Sequence, residues 1–198
     1  MTASSAEWLR SQPTLTGTPP ALDPSALPDV PERLFLEWLS AAIEAGVPEP
    51  LAMTLATVAA DGIPDARTLI IKDVDRRGWA FAGSRASRKG EQLSLHPAAA
   101  LNFWWQPVMR AVRVRGRIVE ADAEESAADL AARSPSARAG IGPGEWVLWR
   151  VVPERVEFWQ GAVDRRHTRI VYERTGESWT HRIVIGHTDN PPNGEISA

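Results

Sequence analysis

Along most of the chain, apolar residues recur in short stretches with the two-residue period that is typical of β-strands. These stretches are rich in β-branched and aromatic residues, and turn residues such as Gly, Pro and Asp separate them. We predict strands at 51–58, 66–74, 79–82, 98–105, 111–119, 146–152, 155–158, 169–173 and 179–183. So many short strands with few helices favour a mainly β fold, either a closed barrel or a sandwich.

Three segments are predicted to be helical. The clearest begins at Pro31, which suits the first turn of a helix, and ends near Gly46, which suits its C-terminus. Its predicted apolar face consists of Phe35, Trp38, Leu39, Ala42 and Ile43. Two further helices are predicted at 87–95 and 124–133, and acidic residues at the start of the second agree with the helix dipole. We expect the first helix to lie on the core.

The sequence divides into an arm, one folded domain and a tail. Residues 1–30 are rich in Pro, Ser and Thr, and the prolines are expected to interrupt any regular element, which predicts an arm that is either mobile or wrapped. The folded domain is predicted over 31–184. Residues 185–198 include a run of Asn, Pro and Gly at 190–194 and are predicted to form a flexible tail.

Composition is that of an ordinary globular protein. At 198 residues, with 43% hydrophobic and 24% charged residues, the chain is long enough for one domain with a substantial core. No apolar run approaches about 18 residues and no basic-then-apolar leader is present. Neither a membrane span nor a secretory signal is therefore predicted, and a cytoplasmic location follows as the default.

Residue counts also exclude several kinds of site. Cysteine is absent, which excludes disulfides, thiolate zinc sites and a cysteine nucleophile. The four histidines show no metal-ligand pairing, so no metal site is expected. They are His96, His167, His181 and His187. A net charge of −3 argues against a nucleic-acid partner, although local phosphate binding stays open.

Two clusters of cationic residues suit an anionic ligand. If residues 165–170 are extended, Arg165, His167 and Arg169 share one face, and Arg can bind a phosphate through two charge-assisted hydrogen bonds. Alternatively, these residues belong to a solvated edge strand that binds no ligand, because edge strands are often charged. The second cluster, Ser-Arg-Lys-Gly at 87–90, combines two cations with the free backbone N–H groups of a predicted helix start, which favours a terminal phosphate.

Both clusters belong to motifs that resemble a known family. Glu-Phe-Trp-Gln-Gly at 157–161, followed by Arg-x-His-x-Arg at 165–169, is similar to the C-terminal signature of the pyridoxamine 5'-phosphate oxidase family. Arg-Thr-Leu-Ile-Ile-Lys at 67–72 and Ser-Arg-Lys-Gly at 87–90 resemble that family's FMN-binding strand and phosphate loop. The motifs occur in the family's order, and the resemblance spans roughly residues 38–182.

The resemblance implies an FMN-binding split barrel that forms a homodimer, with FMN in a cleft between the subunits. It also implies hydride transfer from pyridoxine or pyridoxamine 5'-phosphate, or a related ring substrate, to FMN and then to oxygen with release of hydrogen peroxide. The implied FMN contacts are Arg67, Thr68, Leu69, Ile70, Ile71, Lys72, Ala82, Gly83, Ser87, Arg88, Lys89, Trp159 and Arg169. The implied substrate contacts are Lys72, Arg133, Arg165 and His167. Arg165 and His167 are the implied catalytic residues, which hold the substrate over the flavin ring.

Three segments in which the family contacts FMN depart from the family pattern. Ala82 and Gly83 replace a usual Tyr-Thr pair, and Ala111 replaces a Gln that contacts FMN. After Gly140, the chain runs almost directly into Trp146, where the family has a longer segment with a Gln-Ser pair. These departures predict weaker FMN affinity.

The expected substrate-phosphate site also departs from the pattern. The family supplies Tyr, Arg and Ser there, whereas the matching positions hold Asp129, Arg133 and Ala137. A carboxylate at Asp129 is expected to repel a phosphate rather than bind it, unless the helix is rotated or the alignment slips. The vitamin B6 substrate is therefore only one of the alternatives.

Two other functions stay open. One is an FMN oxidase of secondary metabolism that acts on an unphosphorylated or carboxylate-bearing reduced ring. Short similarities at 15–17 and 49–52 to relatives that oxidise reduced phenazine precursors favour it. The other is a non-catalytic protein of the same fold that binds FMN or a B6 vitamer.

Overall fold

The computed structural model describes residues 4–186, which form five α-helices and nine strands. The helices are α1 (Ser5–Arg10), α2 (Pro31–Glu44), α3 (Arg88–Leu95), α4 (Ala123–Ala131) and α5 (Pro135–Arg138). The strands are β1 (Ala52–Val58), β2 (Pro64–Ile70), β3 (Asp73–Asp75), β4 (Gly78–Ser84), β5 (Ala98–Trp105), β6 (Arg110–Glu120), β7 (Trp146–Gln160), β8 (Thr168–Thr175) and β9 (Ser178–Ile185). Two short 3₁₀ helices lie at Pro24–Ala26 and Gln106–Val108.

All strand pairs are antiparallel and belong to one curled sheet with the order β2-β1-β5-β6-β7-β4-β3. The β8–β9 hairpin branches from this order, because β8 pairs with the second half of β7. β7 is therefore the central strand, with β4 beside its first half and β8 beside its second half. The prediction of a mainly β fold with few helices is confirmed.

Two strand boundaries differ from the predictions. The predicted strands at 146–152 and 155–158 form the single strand β7, which stays continuous because Glu154 forms a β-bulge in β7 opposite Arg115 and Gly116 of β6. The predicted strand at 66–74 divides into β2 and β3. Between them, the backbone N–H of Ile71 donates to Leu51 and that of Lys72 donates to Ala80, so the chain passes from β1 to β4.

The core lies between the sheet and α2. Phe35 of this helix is fully buried, and its ring packs edge-on against Phe103, with the ring centroids 4.8 Å apart. The predicted position of the helix on the core is confirmed, but the predicted face was wrong at one end. Leu34 is buried, whereas Ile43 is 54% exposed, because it lies about 100° around the helix from the buried Ala42.

The N-terminal arm is ordered around the domain in the described part. The prediction of no regular element was wrong at α1, where Ser4 and Glu7 form a reciprocal capping box. Farther along, Thr16 accepts a hydrogen bond from the side chain of Gln106 at 2.7 Å. At this point the arm contacts the 3₁₀ helix at Gln106–Val108, where the backbone N–H of Thr18 also donates to the carbonyl of Pro107. The predicted tail lies, from residue 187 onward, outside the described residues.

Between residues 4 and 186, no helix combines the length and apolar character needed to cross a membrane. The same residues contain no group of three or more His, Asp or Glu side chains that could hold a metal ion.

Candidate functional site

A cationic cluster surrounds the start of α3. Ser87 caps the helix by accepting a hydrogen bond from the backbone N–H of Gly90, and its hydroxyl also accepts from the Lys89 ammonium at 3.1 Å. The predicted helix start is confirmed. Gly83 of β4 lies under Lys89, and a β-carbon at that position would overlap the lysine side chain. A residue with a side chain at position 83 would therefore require the end of the Lys89 side chain to move.

Arg67 joins this cluster from β2. Its guanidinium donates hydrogen bonds to Thr57 and, at 2.9 Å, to the side-chain oxygen of Gln92. Both partners are buried. Gln92 lies on α3, so the network fixes Arg67 relative to the helix start. Burial, followed by the positive charge of Arg67, lowers the pKa of Lys89.

Asp65 is the counter-ion of the cluster and was not predicted as a site residue. Its carboxylate lies 3.0 Å from Arg67 and 3.2 Å from Arg88. A hydrogen bond from Gln92 is the largest cause that lowers the pKa of Asp65. Asp65 could have been found from the sequence, because it lies two residues before Arg67 on one strand and therefore on the same face. Two arginines that share one carboxylate, with Lys89 beside them at the helix start, suit an added anion such as a phosphate.

The remaining predicted FMN contacts on β2 lie along an edge of the sheet. β2 pairs only with β1 among the strands described, so one side of its backbone is available to a ligand. Thr68 and Ile70 point to the exposed face and Leu69 to the half-buried face. Ile71 lies beyond the strand and is buried. Ala82 lies apart from them on β4, paired with Leu148 of β7.

A second cluster brings together two of the predicted substrate contacts. Lys72 lies 3.9 Å from one oxygen of Asp129, and the indole N–H of Trp146 donates to the other oxygen at 2.8 Å. The guanidinium of Arg133 lies over the Trp146 ring, 4.4 Å from its centroid. The Nε of Arg133 is buried and has no hydrogen-bond partner among residues 4–186. Ala137 lies on α5 and offers no hydroxyl to this cluster.

A cavity of about 620 Å³ lies beside this second cluster. The short loop at 141–144 and one face of α4 line it, and Trp146 borders both the cavity and the cluster. The sequence predicted that the chain lacks the family's long segment here. The walls are mainly apolar, and the Arg85–Glu120 ion pair lies at the edge.

The third group of predicted residues lies at the end of β7. The Trp159 ring packs against the Trp104 ring at 6.0 Å and against the His167 imidazole at 4.8 Å. The backbone N–H of Ala162 donates to Nδ1 of His167 at 3.1 Å, which requires that Nδ1 carries no proton in this arrangement. Arg169 of β8 is the strand partner of Trp159.

The strand predicted at 169–173 lies within β8, but the condition for a shared strand face of Arg165, His167 and Arg169 is not met, because β8 begins only at Thr168. Arg165 lies in a turn with a φ of +67°. Its N–H donates to Ala162 at 3.1 Å, as the chain reverses direction between β7 and β8. The three side chains are therefore arranged by a turn and a strand end rather than by strand alternation.

Other residues of the C-terminal signature have structural contacts. Glu157 is buried and accepts hydrogen bonds from Arg113 and Arg155. Gln160 accepts a hydrogen bond from Arg110 at 2.8 Å and donates to the carbonyl of Pro20 in the arm at 3.1 Å. Sequence reasoning assigned no contacts to these residues, although they stabilise the strand that carries Trp159.

Burial lowers the pKa of Arg110 to about 10, and its guanidinium lies 4.0 Å from the centroid of the Trp38 ring. This arginine therefore joins the start of β6 to α2. Ala111, the position where a flavin-contacting Gln was expected, is the strand partner of Trp159.

The second and third groups lie at opposite ends of β7. Trp146 begins the strand and Trp159 stands one residue before its end. At about 3.3 Å per residue, roughly 40 Å of strand separates them. The structure therefore brings Lys72 and Arg133 together, and Trp159, His167 and Arg169 together, but it does not bring these two groups together within one chain.

Comparisons with known proteins agree with this architecture. The sequence profile of pyridoxamine 5'-phosphate oxidase matches residues 39–160, and that of the pyridoxine 5'-phosphate oxidase C-terminal dimerisation region matches residues 146–184. The pyridoxine/pyridoxamine 5'-phosphate oxidase of Thermosynechococcus vestitus is 39% identical over 180 residues, which cover 75% of this chain and 85% of that protein. The corresponding oxidase of Bordetella petrii is 43% identical over 168 residues, with coverage of 70% and 80%.

A solved structure is also similar. PhzG from Burkholderia lata 383, in complex with tetrahydrophenazine-1-carboxylic acid, has 27% sequence identity and a TM-score of 0.77. The match covers 85% of this chain and 100% of the PhzG chain. The chain therefore belongs to the pyridoxamine 5'-phosphate oxidase family and is an oxidoreductase with the FMN-binding split-barrel fold.

Proposed function

We propose that the protein is an FMN-dependent oxidase that works as a homodimer and oxidises a ring substrate. The observation that carries this proposal is the cationic cluster at the start of α3. Arg67 and Arg88 pair with one carboxylate, Asp65, and Lys89 lies close enough to Arg67 for that charge to lower its pKa, so the cluster has an excess of positive charge. A terminal phosphate at a helix start next to such cations gains charge-assisted hydrogen bonds. The residues present therefore fit the phosphate of FMN.

The isoalloxazine ring fits the group at the end of β7. Trp159 offers a half-buried aromatic face, and Arg169 offers a cation beside it. When bound, FMN would accept a hydride from the substrate and pass the electrons to oxygen, with release of hydrogen peroxide. The protein's own contribution is to bind the cofactor and to position the substrate.

Arg165 and His167 are proposed to position the substrate. Both lie in or beside the turn that follows Trp159, and the imidazole of His167 contacts the tryptophan ring. His167 accepts a hydrogen bond from the backbone N–H of Ala162 at Nδ1, which fixes the orientation of the imidazole beside Trp159. Orientation of this kind can contribute several kcal/mol to lowering a reaction barrier.

The length of strand β7 that separates the two groups of predicted substrate contacts supports a homodimer. One chain holds Lys72 and Arg133 about 40 Å of strand away from His167, so one substrate cannot contact all of them within that chain. A second copy can supply the missing half, and a two-fold dimer then forms two equivalent sites. The match to a C-terminal dimerisation region over residues 146–184 favours the same arrangement.

Two substrate classes are compatible with this site. Pyridoxine and pyridoxamine 5'-phosphate are supported by the names of the curated relatives and by the cations Lys72 and Arg133. A reduced phenazine-type ring is supported by the similarity to PhzG and by Asp129, which takes the place of a neutral phosphate ligand. A small-molecule substrate in the cytoplasm is proposed for either class, without nucleic-acid or membrane partners.

Flavin absorbance tests the proposal. The purified protein is reconstituted with FMN, and pyridoxine 5'-phosphate or a reduced phenazine carboxylate is added without oxygen. Bleaching of the flavin band, followed by recovery and peroxide formation when air is admitted, is expected for an oxidase. A protein that binds FMN but never bleaches with either class would instead be the non-catalytic binder.

A further inference from the structure

Asp129 places a fixed carboxylate on the proposed substrate side. One oxygen faces Lys72 at 3.9 Å, and the other accepts a hydrogen bond from Trp146 at 2.8 Å. The side chain is 13% exposed. Because each oxygen faces a different partner and little of the side chain reaches solvent, the carboxylate is held in place rather than free to turn away from a ligand.

Lys72, Arg133 and Asp129 together carry a net charge of +1, which one negative charge on a ligand neutralises. Lys72 and Arg133 each contribute one positive charge, and Asp129 offsets one of them. A phosphate monoester carries nearly two negative charges at neutral pH, whereas a carboxylate carries one. A second ligand charge would therefore meet Asp129 itself, and like charges within a few ångströms repel.

Arg133 indicates where the ligand's charge would lie. Its guanidinium is stacked on Trp146, and its Nε is buried with no hydrogen-bond partner among the residues described. A buried N–H group without an acceptor is unfavourable, and most such groups in proteins are paired. An oxygen of a bound carboxylate would supply the acceptor. Lys72, in contrast, already faces Asp129.

We propose that Asp129 is a specificity-determining residue that makes the site select ring substrates with one carboxylate over ring substrates with a phosphate. The inference rests on the proposed function, since it concerns the substrate of the same site. Asp129 neutralises Lys72, and Arg133 remains to bind a single anionic group. Removal of the charge at Asp129 frees Lys72 and opens the site to a dianion.

The FMN-loaded protein and the variant Asp129→Asn test the inference. Asparagine keeps the size of the side chain and an oxygen for Trp146 but removes the charge. Each protein is titrated with pyridoxal 5'-phosphate and with 4-pyridoxate, a carboxylate on the same type of ring, while the flavin spectrum is followed. We expect the variant to bind the phosphate about tenfold more tightly relative to the carboxylate than the wild type does.

Glu124→Gln is the matched control, because it removes one charge from an exposed position of the same helix. It should leave the ratio of the two affinities unchanged. If Asp129→Asn does not retain FMN, Asp129→Thr takes its place and the same ratio is measured. An unchanged ratio in an FMN-loaded variant overturns the role of Asp129 and leaves the oxidase proposal intact. A wild type that binds no FMN overturns the proposed function, and the inference with it.

Discussion

The ring centroids of Trp159 and His167 lie 4.8 Å apart, with the ring planes tilted by 48°. The strand end that carries the tryptophan and the turn that carries the histidine therefore form one packed unit. Within it, Trp159 is assigned to the flavin and His167 to the substrate. Changes in the turn should consequently affect turnover more than flavin affinity, because the turn carries the proposed substrate contacts Arg165 and His167, whereas Trp159 belongs to β7.

Arg165 allows this separation to be tested without damage to the fold. Its φ of +67° costs a residue with a side chain about 1 kcal/mol relative to glycine. Arg165→Gly should therefore keep or raise the melting temperature and retain FMN affinity, yet lose most turnover because the guanidinium is gone. Arg166→Ala, a change of the neighbouring exposed arginine, is the control. Turnover equal to that of the wild type in Arg165→Gly would remove Arg165 from the mechanism.

Lys89 should be a titratable marker of FMN binding. The chain has two lysines, Lys72 and Lys89, so modification of their amines is easily assigned by mass spectrometry. Burial and then the charge of Arg67 lower the pKa of Lys89 below the ordinary 10.5. Amine acylation of Lys89 in the FMN-free protein should thus be half-maximal below pH 10.5, and FMN should protect it. A midpoint at or above 10.5, or no protection, would contradict the assignment.

The same shift predicts a pH dependence for the FMN-free protein. The folded chain holds the Lys89 proton less tightly than the unfolded chain does, so this group destabilises the fold at lower pH. The destabilisation should be present below the lowered pKa and disappear as the pH rises through the interval up to 10.5. Lys89→Met should remove this dependence, which urea unfolding at several pH values can measure. FMN binding to the wild type should weaken over the same interval, because the phosphate prefers the ammonium.

Asp65 should compete with the phosphate of FMN. Its carboxylate lies within 3.2 Å of Arg67 and Arg88, so phosphate binding requires these arginines to exchange partners. Asp65→Asn should increase FMN affinity several-fold and leave riboflavin, which lacks the phosphate, unaffected. Quenching of flavin fluorescence measures both affinities. Equal gains for FMN and riboflavin would show that the effect does not arise from the phosphate.

Tyr172 should fasten the N-terminal arm. Its hydroxyl donates to the carbonyl of Pro28 at 2.7 Å, and burial raises the pKa of the phenol to about 12. The unfolded chain ionises near 10.0, so the contribution of Tyr172 to stability should be complete below that pH and be lost between 10.0 and about 12. Tyr172→Phe should lower the free energy of unfolding by about 1 kcal/mol and speed proteolysis of the arm. An unchanged proteolysis rate would show that another contact holds it.

Much of the fold could be predicted from local patterns. The strand alternation at 98–105 and the Ser87 start of α3 agree with the structure, because each depends on neighbouring residues alone. The continuity of β7 could not be predicted, since it depends on a bulge at Glu154 that only the pairing with β6 defines. The capping box at Ser4 was available in the sequence but was outweighed by the prolines that follow it.

The sequence supplies candidate residues for the site, whereas their geometry depends on the tertiary structure. The motifs supplied Lys72, Trp159 and Arg169 as candidates, and the strand predicted at 169–173 lies within β8, whereas the chain at Arg165 forms a turn between two strands. The pairing of Asp129 with Lys72 depends on how α4 packs against β7 and so reaches the link between β2 and β3, which no local pattern reports. Such contacts join distant parts of the chain and emerge only with the tertiary fold.

The central claim is that each FMN site combines residues of two subunits. One variant, Arg67→Ala with Lys89→Met, removes the phosphate half, and another, Trp159→Ala with Arg169→Ala, removes the ring half. Neither variant alone should retain FMN after gel filtration. Refolded together, they should form mixed dimers with one intact site, which gives about one FMN per four chains at random pairing.

Wild-type protein carried through the same refolding is the control and should bind about one FMN per chain. Recovery of FMN binding only in the mixture is the predicted result. No recovery, in a mixture whose mixed dimers are verified by mass spectrometry, would contradict a site shared between two subunits.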